Sequence, residues 1–177
     1  EIDRNGDELV FCSVGRFSYA KNFDNIPNIC KRILQKGIEI KWYLIGYGGD
    51  KDQIQSKIQE EKVERNVVIL GKKENPYPYI NACDFYIQPS RYEGKAVTVR
   101  EAQVLGKPVI ITNFPTATSQ LIDGYDGKIV SLDNEKCAEE IVSFIKDKKL
   151  VSAITKNIES TDYTNYDEIN KIYALMG

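Results

Sequence analysis

The chain has 177 residues, 42% hydrophobic and 28% charged, which is the profile of one globular domain with a sizeable core. A formal net charge of −2 supplies no basic face for general nucleic-acid binding. There is no histidine, so Ser-His and Cys-His nucleophile arrangements are excluded, and the four cysteines are too scattered to suggest zinc.

In chain order, residues 9–14 read as a first strand, and Phe23, Ile26, Ile29, Cys30, Ile33 and Leu34 then mark one face of a helix. Gly37 closes that helix, and residues 38–45 supply a second strand. Residues 50–61 form a polar helix with Ile54 and Ile58 facing inward, and residues 66–70 a third strand closed by Gly71. Residues 77–82 read as a short helix and 84–88 as a fourth strand that stops at Pro89. Residues 97–105 have helical composition with Gly106 as the cap, residues 107–112 form a fifth strand and 128–131 a sixth. From Glu135 onward the pattern is helical, with Ala138, Ile141, Val142 and Ile145 on one face; residues 162–166 break it and 166–175 form a final helix. Val109-Ile110-Ile111 and Val67-Val68-Ile69-Leu70 are apolar at every position, as strands covered on both faces are. The predicted architecture is a Rossmann-like α/β domain, an open parallel sheet of about six strands with helices on both faces.

Cys12, Cys30, Cys83 and Cys137 each lie in apolar settings and read as reduced core thiols. No apolar run approaches the roughly 18 residues that span a bilayer, so a cytoplasmic setting is expected. Residue 1 is Glu rather than Met and no signal peptide is visible, so the chain is expected to be a piece of a longer protein.

Chemistry concentrates in Ser90-Arg91-Tyr92-Glu93-Gly94-Lys95-Ala96-Val97-Thr98-Val99-Arg100-Glu101-Ala102. Glu93 sits in the loop before a helix and Glu101 on its second turn, with seven residues between them. Between the two lie backbone N–H groups and the positive end of a helix dipole, a seat for phosphate. A nucleotide-sugar could span this arrangement, with sugar hydroxyls at one carboxylate and ribose hydroxyls at the other. Arg16 and Lys21 follow the first strand and Gly15, at the carboxyl end of the sheet where open α/β sheets bind ligands. Gly46-Tyr47-Gly48-Gly49 is not a dinucleotide fingerprint, because the third spaced glycine would fall at Lys51. Asp50-Lys51-Asp52 opens a helix, where acids cap the end rather than bind metal.

Glu93-Gly94 through Glu101-Ala102, with Leu105-Gly106-Lys107-Pro108-Val109-Ile110 behind it, resembles the E-x7-E signature of the retaining family 4 glycosyltransferases. Val14-Gly15-Arg16-Phe17-Ser18-Tyr19-Ala20-Lys21-Asn22 resembles that family's phosphate-contacting Gly-Arg…Lys motif. Ile122-Asp123-Gly124-Tyr125-Asp126-Gly127-Lys128-Ile129-Val130 resembles its closing Asp-Gly segment. The resemblance implies the carboxyl-terminal, donor-binding half of a two-domain GT-B fold, with residues 1–177 as one nucleotide-sugar-binding domain. Its helical tail at residues 162–177 would cross back to an amino-terminal acceptor domain that this chain lacks.

It further implies hexosyl transfer from a nucleotide-sugar to a glycan or lipid-linked acceptor, with retention and no metal. Arg16 and Lys21 would clamp the donor diphosphate, Glu93 would position the sugar, and Glu101 would hold the ribose. Gly15, Gly71, Lys72, Ser90, Gly94, Lys95, Ala96 and Val97 would complete the donor site. The base is expected to be read mostly by backbone after the third strand, with a UDP-sugar favoured over a GDP-sugar and no cofactor. Asn113-Phe114-Pro115-Thr116 would line either the sugar or the cleft rim, or form a plain turn. The family more often has an aromatic residue and a glycine where this chain has Lys95 and Ala96, which bears on sugar identity. The expected partner is the acceptor domain, together with a membrane surface for the full-length enzyme. The rival readings are a catalytically silent nucleotide-binding or docking module and a GT-B epimerase or phosphorylase.

Overall fold

The apolar runs become strands because both of their faces are covered. The computed structural model describes Ile2 and residues 6–163. Six strands, β1 (Leu9–Val14), β2 (Ile40–Ile45), β3 (Val67–Gly71), β4 (Phe85–Gln88), β5 (Val109–Thr112) and β6 (Lys128–Val130), form one sheet in the order β3-β2-β1-β4-β5-β6. Every adjacent pair is parallel. The helices are α1 (Ile26–Gln35), α2 (Lys51–Glu61), α3 (Tyr77–Ala82), α4 (Val97–Val104), α5 (Asn134–Lys146) and α6 (Lys148–Ser160).

Side-chain alternation along the strands divides the core in two. Phe11, Trp42, Leu44, Phe85 and Ile87 face α1, α2, α5 and α6, whereas Val10, Cys12, Tyr43, Ile45, Tyr86, Val109 and Ile111 face α3 and α4. On the first face Phe11 is in register with both Trp42 and Phe85. Its ring meets theirs edge-on at 5.4 and 5.9 Å, and Phe85 meets Phe144 of α5 at 5.9 Å. Such edge contacts contribute about 0.5–1.5 kcal/mol each beyond the area they bury. The indole N–H of Trp42 donates to Ser13 Oγ at 2.9 Å, and that hydroxyl donates to Ile87 O at 2.6 Å, so the polar atoms inside the layer are satisfied.

Boundaries shift where the chain spends residues on turns. β2 begins at Ile40 rather than 38, because Gly37 and Ile38 still close α1 through bonds to Leu34 O and Ile33 O. β5 begins at Val109 rather than 107, because the Lys107 N–H bonds back to Ala102 O and finishes α4. The continuous helical pattern after Glu135 is two helices. Asp147 ends α5 and caps α6 by accepting from the Leu150 N–H at 3.0 Å. Asp50 occupies the N-cap position of α2, but its side chain makes no capping bond. Short 3₁₀ turns at Tyr19–Lys21, Phe23–Asn25 and Ala117–Ser119 lie in stretches that read as loop or as the start of α1. The final helix expected at 166–175 lies outside the described residues.

The strand order reverses between β1 and β4. Loops leaving these two neighbours diverge at their carboxyl ends, which opens a crevice there.

Candidate functional site

The two loops at this crevice carry the residues singled out in the sequence. After β1, the Gly15 N–H bonds Ile45 O at 2.9 Å and the Phe17 N–H bonds Tyr47 O at 2.8 Å, so the Arg16 turn lies along the Gly46–Gly48 segment. A Cβ on Gly46 (φ +150°) would stand 1.8 Å from Gly15 O, and one on Gly48 (φ +156°) 2.1 Å from Phe17 O. Only glycine permits that approach. The Gly-x-Gly after β2 therefore has a job, which is to back the Arg16 turn. Arg16 itself is exposed and has no polar partner among the described residues. Gly71 ends β3 and accepts from the Gly46 N–H at 3.0 Å, and Lys72 lies over the exposed Tyr47 ring at 5.2 Å.

After β4, Ser90 is fully buried and Glu93 has only 7% of its side chain exposed. Lys21, at the end of its 3₁₀ turn, reaches across the crevice, its Nζ 2.5 Å from Glu93 Oε1. Ser90 Oγ donates to the same oxygen at 2.6 Å and Gln88 Nε2 at 3.1 Å. The structure thus brings Gly15, Lys21, Ser90 and Glu93 into one cluster.

The loops are also stapled to each other. Arg91 forms a two-pronged pair with Asp24 at 2.9 Å on each arm, donates to Tyr19 O at 2.7 Å and stacks over the Tyr19 ring at 4.2 Å. The Asp24 bonds raise the Arg91 pKa further. Asn22, in the left-handed region at φ 60°, donates to Pro89 O at 2.8 Å, and the Arg91 N–H bonds Ala20 O.

Fewer free amides remain at residues 94–97 than the sequence reading expects. Of the amides at Gly94 to Val97, the Ala96 N–H is taken by Gln120 Oε1 at 3.0 Å and the Val97 N–H by Lys95 O. Those of Gly94 and Lys95 have no partner among the described residues. Lys95 is exposed and Ala96 is buried at φ −81°, so the position expected to favour glycine takes alanine without strain. Val97 opens α4 and is 58% exposed. Glu101 lies on the second turn of α4, apart from this cluster, where Tyr77 donates to its Oε1 at 3.0 Å. That bond pushes the Tyr77 pKa up. Tyr77, Val97, Arg100 and Glu101 border an open, mainly apolar hollow of about 300 Å³.

Asn113, Phe114 and Pro115 join Asn22, Asn25 and Tyr92 around a larger cavity of about 600 Å³, and Thr116 donates to Glu93 O at 2.6 Å. The Asp-Gly segment is structural. Asp126 caps the Ile122 N–H at 2.6 Å and receives the Tyr163 hydroxyl at 3.2 Å, while Asp123 receives the Ile129 N–H at 2.8 Å. Among the described residues no group of three His, Cys, Asp or Glu converges on a metal site, and no helix is long and apolar enough to cross a membrane. Asn22, the Asp24–Arg91 pair, Gln88 and Gln120 were not found by sequence reasoning. The legible signal was Gln88, a polar residue ending a buried strand.

A parallel sheet in this order, with a cationic turn after β1 facing the Glu93 carboxylate after β4, defines a Rossmann-like ligand-binding domain. The chain belongs to the glycosyl transferases group 1 family, which it matches over residues 1–161. It is 28% identical over 159 residues to an N-acetylgalactosaminyltransferase of Campylobacter jejuni that acts on a diphospho-undecaprenol-linked sugar, covering 89% of this chain and 42% of that protein. It is 30% identical over 153 residues to the capsular polysaccharide biosynthesis glycosyltransferase CapM of Staphylococcus aureus, covering 85% of this chain and 40% of that one. Its fold resembles that of TarM from S. aureus, with a TM-score of 0.81 and 22% identity over 95% of this chain and 35% of that one. HepE of Anabaena in complex with UDP gives a TM-score of 0.74 and 22% identity over 86% of this chain and 43% of that one. The chain spans less than half the length of these relatives.

Proposed function

We propose that this chain is the donor-binding domain of a retaining, metal-independent hexosyltransferase of the family 4 type. It would pass a sugar from a nucleotide-sugar to a glycan or lipid-linked acceptor. The observation that carries the reading is the Lys21–Glu93 contact across the crevice, which supports a cation for phosphate beside a carboxylate for a sugar hydroxyl. Arg16, exposed and unpartnered among the described residues, takes the donor diphosphate together with Lys21 and the Gly94 and Lys95 amides. These groups offset charge on the leaving group as the glycosidic bond breaks. Glu93 receives a sugar hydroxyl, and Glu101 receives the ribose once it exchanges Tyr77 for the nucleotide. Gly71 and Lys72 flank the base.

UDP is the favoured nucleotide, supported by the solved complexes of HepE with UDP and of the pneumococcal transferase GtfA with UDP and GlcNAc. The acceptor site belongs to a second, amino-terminal domain, and the whole enzyme works in the cytoplasm at a membrane surface. The C. jejuni relative, whose name includes an undecaprenol carrier, supports this placement.

The test is calorimetric titration without metal, using UDP, GDP and ADP and then their sugar conjugates. Selective binding of UDP, weakened about tenfold or more in Glu101→Ala and Arg16→Ala, is expected, because charged hydrogen bonds are the strong ones at such a site. Binding indifferent to both substitutions would overturn the assignment. The isolated chain is expected to transfer no sugar.

A further inference from the structure

β4 is buried from end to end, yet its last residue is a glutamine with no exposed surface. Burying an amide in an apolar layer is unfavourable unless all of its polar atoms find partners. Here they do. Gln88 Oε1 accepts from the Tyr86 hydroxyl at 2.8 Å and from Thr98 Oγ1 at 3.2 Å. Gln88 Nε2 donates to Ser90 Oγ at 2.8 Å and to Glu93 Oε1 at 3.1 Å. Desolvation drives the Tyr86 pKa far up, so its hydroxyl stays protonated and remains a donor. The Glu93 carboxylate fixes which end of the amide faces which neighbour, because a flipped amide would set its carbonyl against it.

The outcome is asymmetric. Glu93 Oε1 receives Lys21, Ser90 and Gln88 together, while Oε2 has no partner among the described residues. We propose that Gln88 is a positioning residue for Glu93: it locks the carboxylate so that one oxygen, Oε2, is presented to the donor sugar. A single fixed acceptor recognises a hydroxyl at one place and angle, which makes the Tyr86–Gln88–Glu93 relay a determinant of sugar selectivity rather than of nucleotide affinity. This rests on the reading above that Glu93 faces the sugar.

The experiment uses two variants of the enzyme. Gln88→Glu keeps the length of the side chain and the acceptor for Tyr86 and Thr98, but turns an oxygen toward Glu93. Gln88→Leu removes both ends of the relay. Thermal unfolding establishes that each variant folds. Calorimetry then compares UDP with UDP-glucose, UDP-galactose and UDP-N-acetylglucosamine, and donor turnover is split into kcat and KM. In Gln88→Glu, UDP affinity should hold within about threefold, while the preferred sugar's advantage over UDP and the turnover each fall about tenfold or more, the worth of one charged hydrogen bond. Gln88→Leu, if folded, should show the same split. Unchanged sugar preference in Gln88→Glu, or parallel loss of UDP and UDP-sugar binding, would overturn the role of Gln88. A wild-type enzyme that binds none of the four ligands would instead overturn the donor-site reading, and this proposal with it.

Discussion

Replacing Gly46 by alanine tests how the cationic turn is held. The new Cβ would stand 1.8 Å from Gly15 O and 2.9 Å from Gly15 C, where ordinary contact begins at 3.4 Å. The two loops must part, and parting them strains the Gly15 N–H bond to Ile45 O and the Gly46 N–H bond to Gly71 O. A non-glycine residue at φ +150° adds about 1–3 kcal/mol of backbone strain, and the steric overlap about as much again. Together these predict a loss of about 2–6 kcal/mol, or roughly 4–24 °C in Tm for a domain of this size. Gly49 is an internal control three residues away, since a Cβ there meets nothing within 4 Å. Gly49→Ala should lie within about 1 kcal/mol of wild type. Urea unfolding followed through the fluorescence of Trp42, the one tryptophan and a buried one, reports both variants. Calorimetry on folded Gly46→Ala should show weaker UDP binding, because Arg16 moves with Gly15. If Gly46→Ala unfolds at the same urea midpoint as Gly49→Ala, the close approach does not hold the turn and the argument fails.

The Asp24–Arg91 pair, with 11% and 18% of the side chains exposed, is dry enough to matter. A double-mutant cycle with Asp24→Asn and Arg91→Ala should give a coupling of about 1–3 kcal/mol in urea unfolding, and a value near zero would remove it as a staple. Asn22→Ala loses the bonds to Pro89 O and from Asn25 Nδ2 and leaves alanine at φ 60°. It should cost about 2–4 kcal/mol by the same assay, whereas a loss under about 1 kcal/mol would mean the loops hold without it. Burial raises the Cys30 and Cys137 thiols from 9.0 to about 12 and lifts Cys12 as well. These groups keep their protons in the folded state while the unfolded chain releases them. Stability is therefore complete below pH 9 and declines as pH rises from 9 toward 12. Unfolding free energies measured from pH 7 to 10.5 should fall, and a flat profile would contradict the burial. A thiol reagent at pH 8 should find these cysteines only after unfolding.

The sheet was legible because its strands are short, apolar at every position and punctuated by glycine and proline, so pattern alone sets both their number and their burial. The two carboxylates and the cationic turn were legible through their spacing. The wiring between them was not. Gln120 reaches Ala96 from 24 positions away and Asn22 reaches Pro89 from 67, distances at which one sequence carries no pairing signal. The break between α5 and α6 was missed for a local reason. Asp147 stands in a polar run whose helical spacing continues on both sides, and only its bond to the Leu150 N–H shows it to be a cap. Ala96 departs from the glycine of the resembled pattern, yet its φ of −81° shows that this loop makes no such demand.

Lys21 and Glu93 meet across 72 positions of sequence, and the chain between them includes three of the sheet's strands and three of its helices. No fragment ending before β4 can assemble the cluster. As the polypeptide leaves the ribosome, Lys21 waits without its counter-charge until the fourth strand slots beside the first. Loop-closure entropy must be overcome before any of the cluster's bonds form. A ligand that needs both loops will therefore select chains in which β4 already lies beside β1, and its binding will report on that long-range pairing.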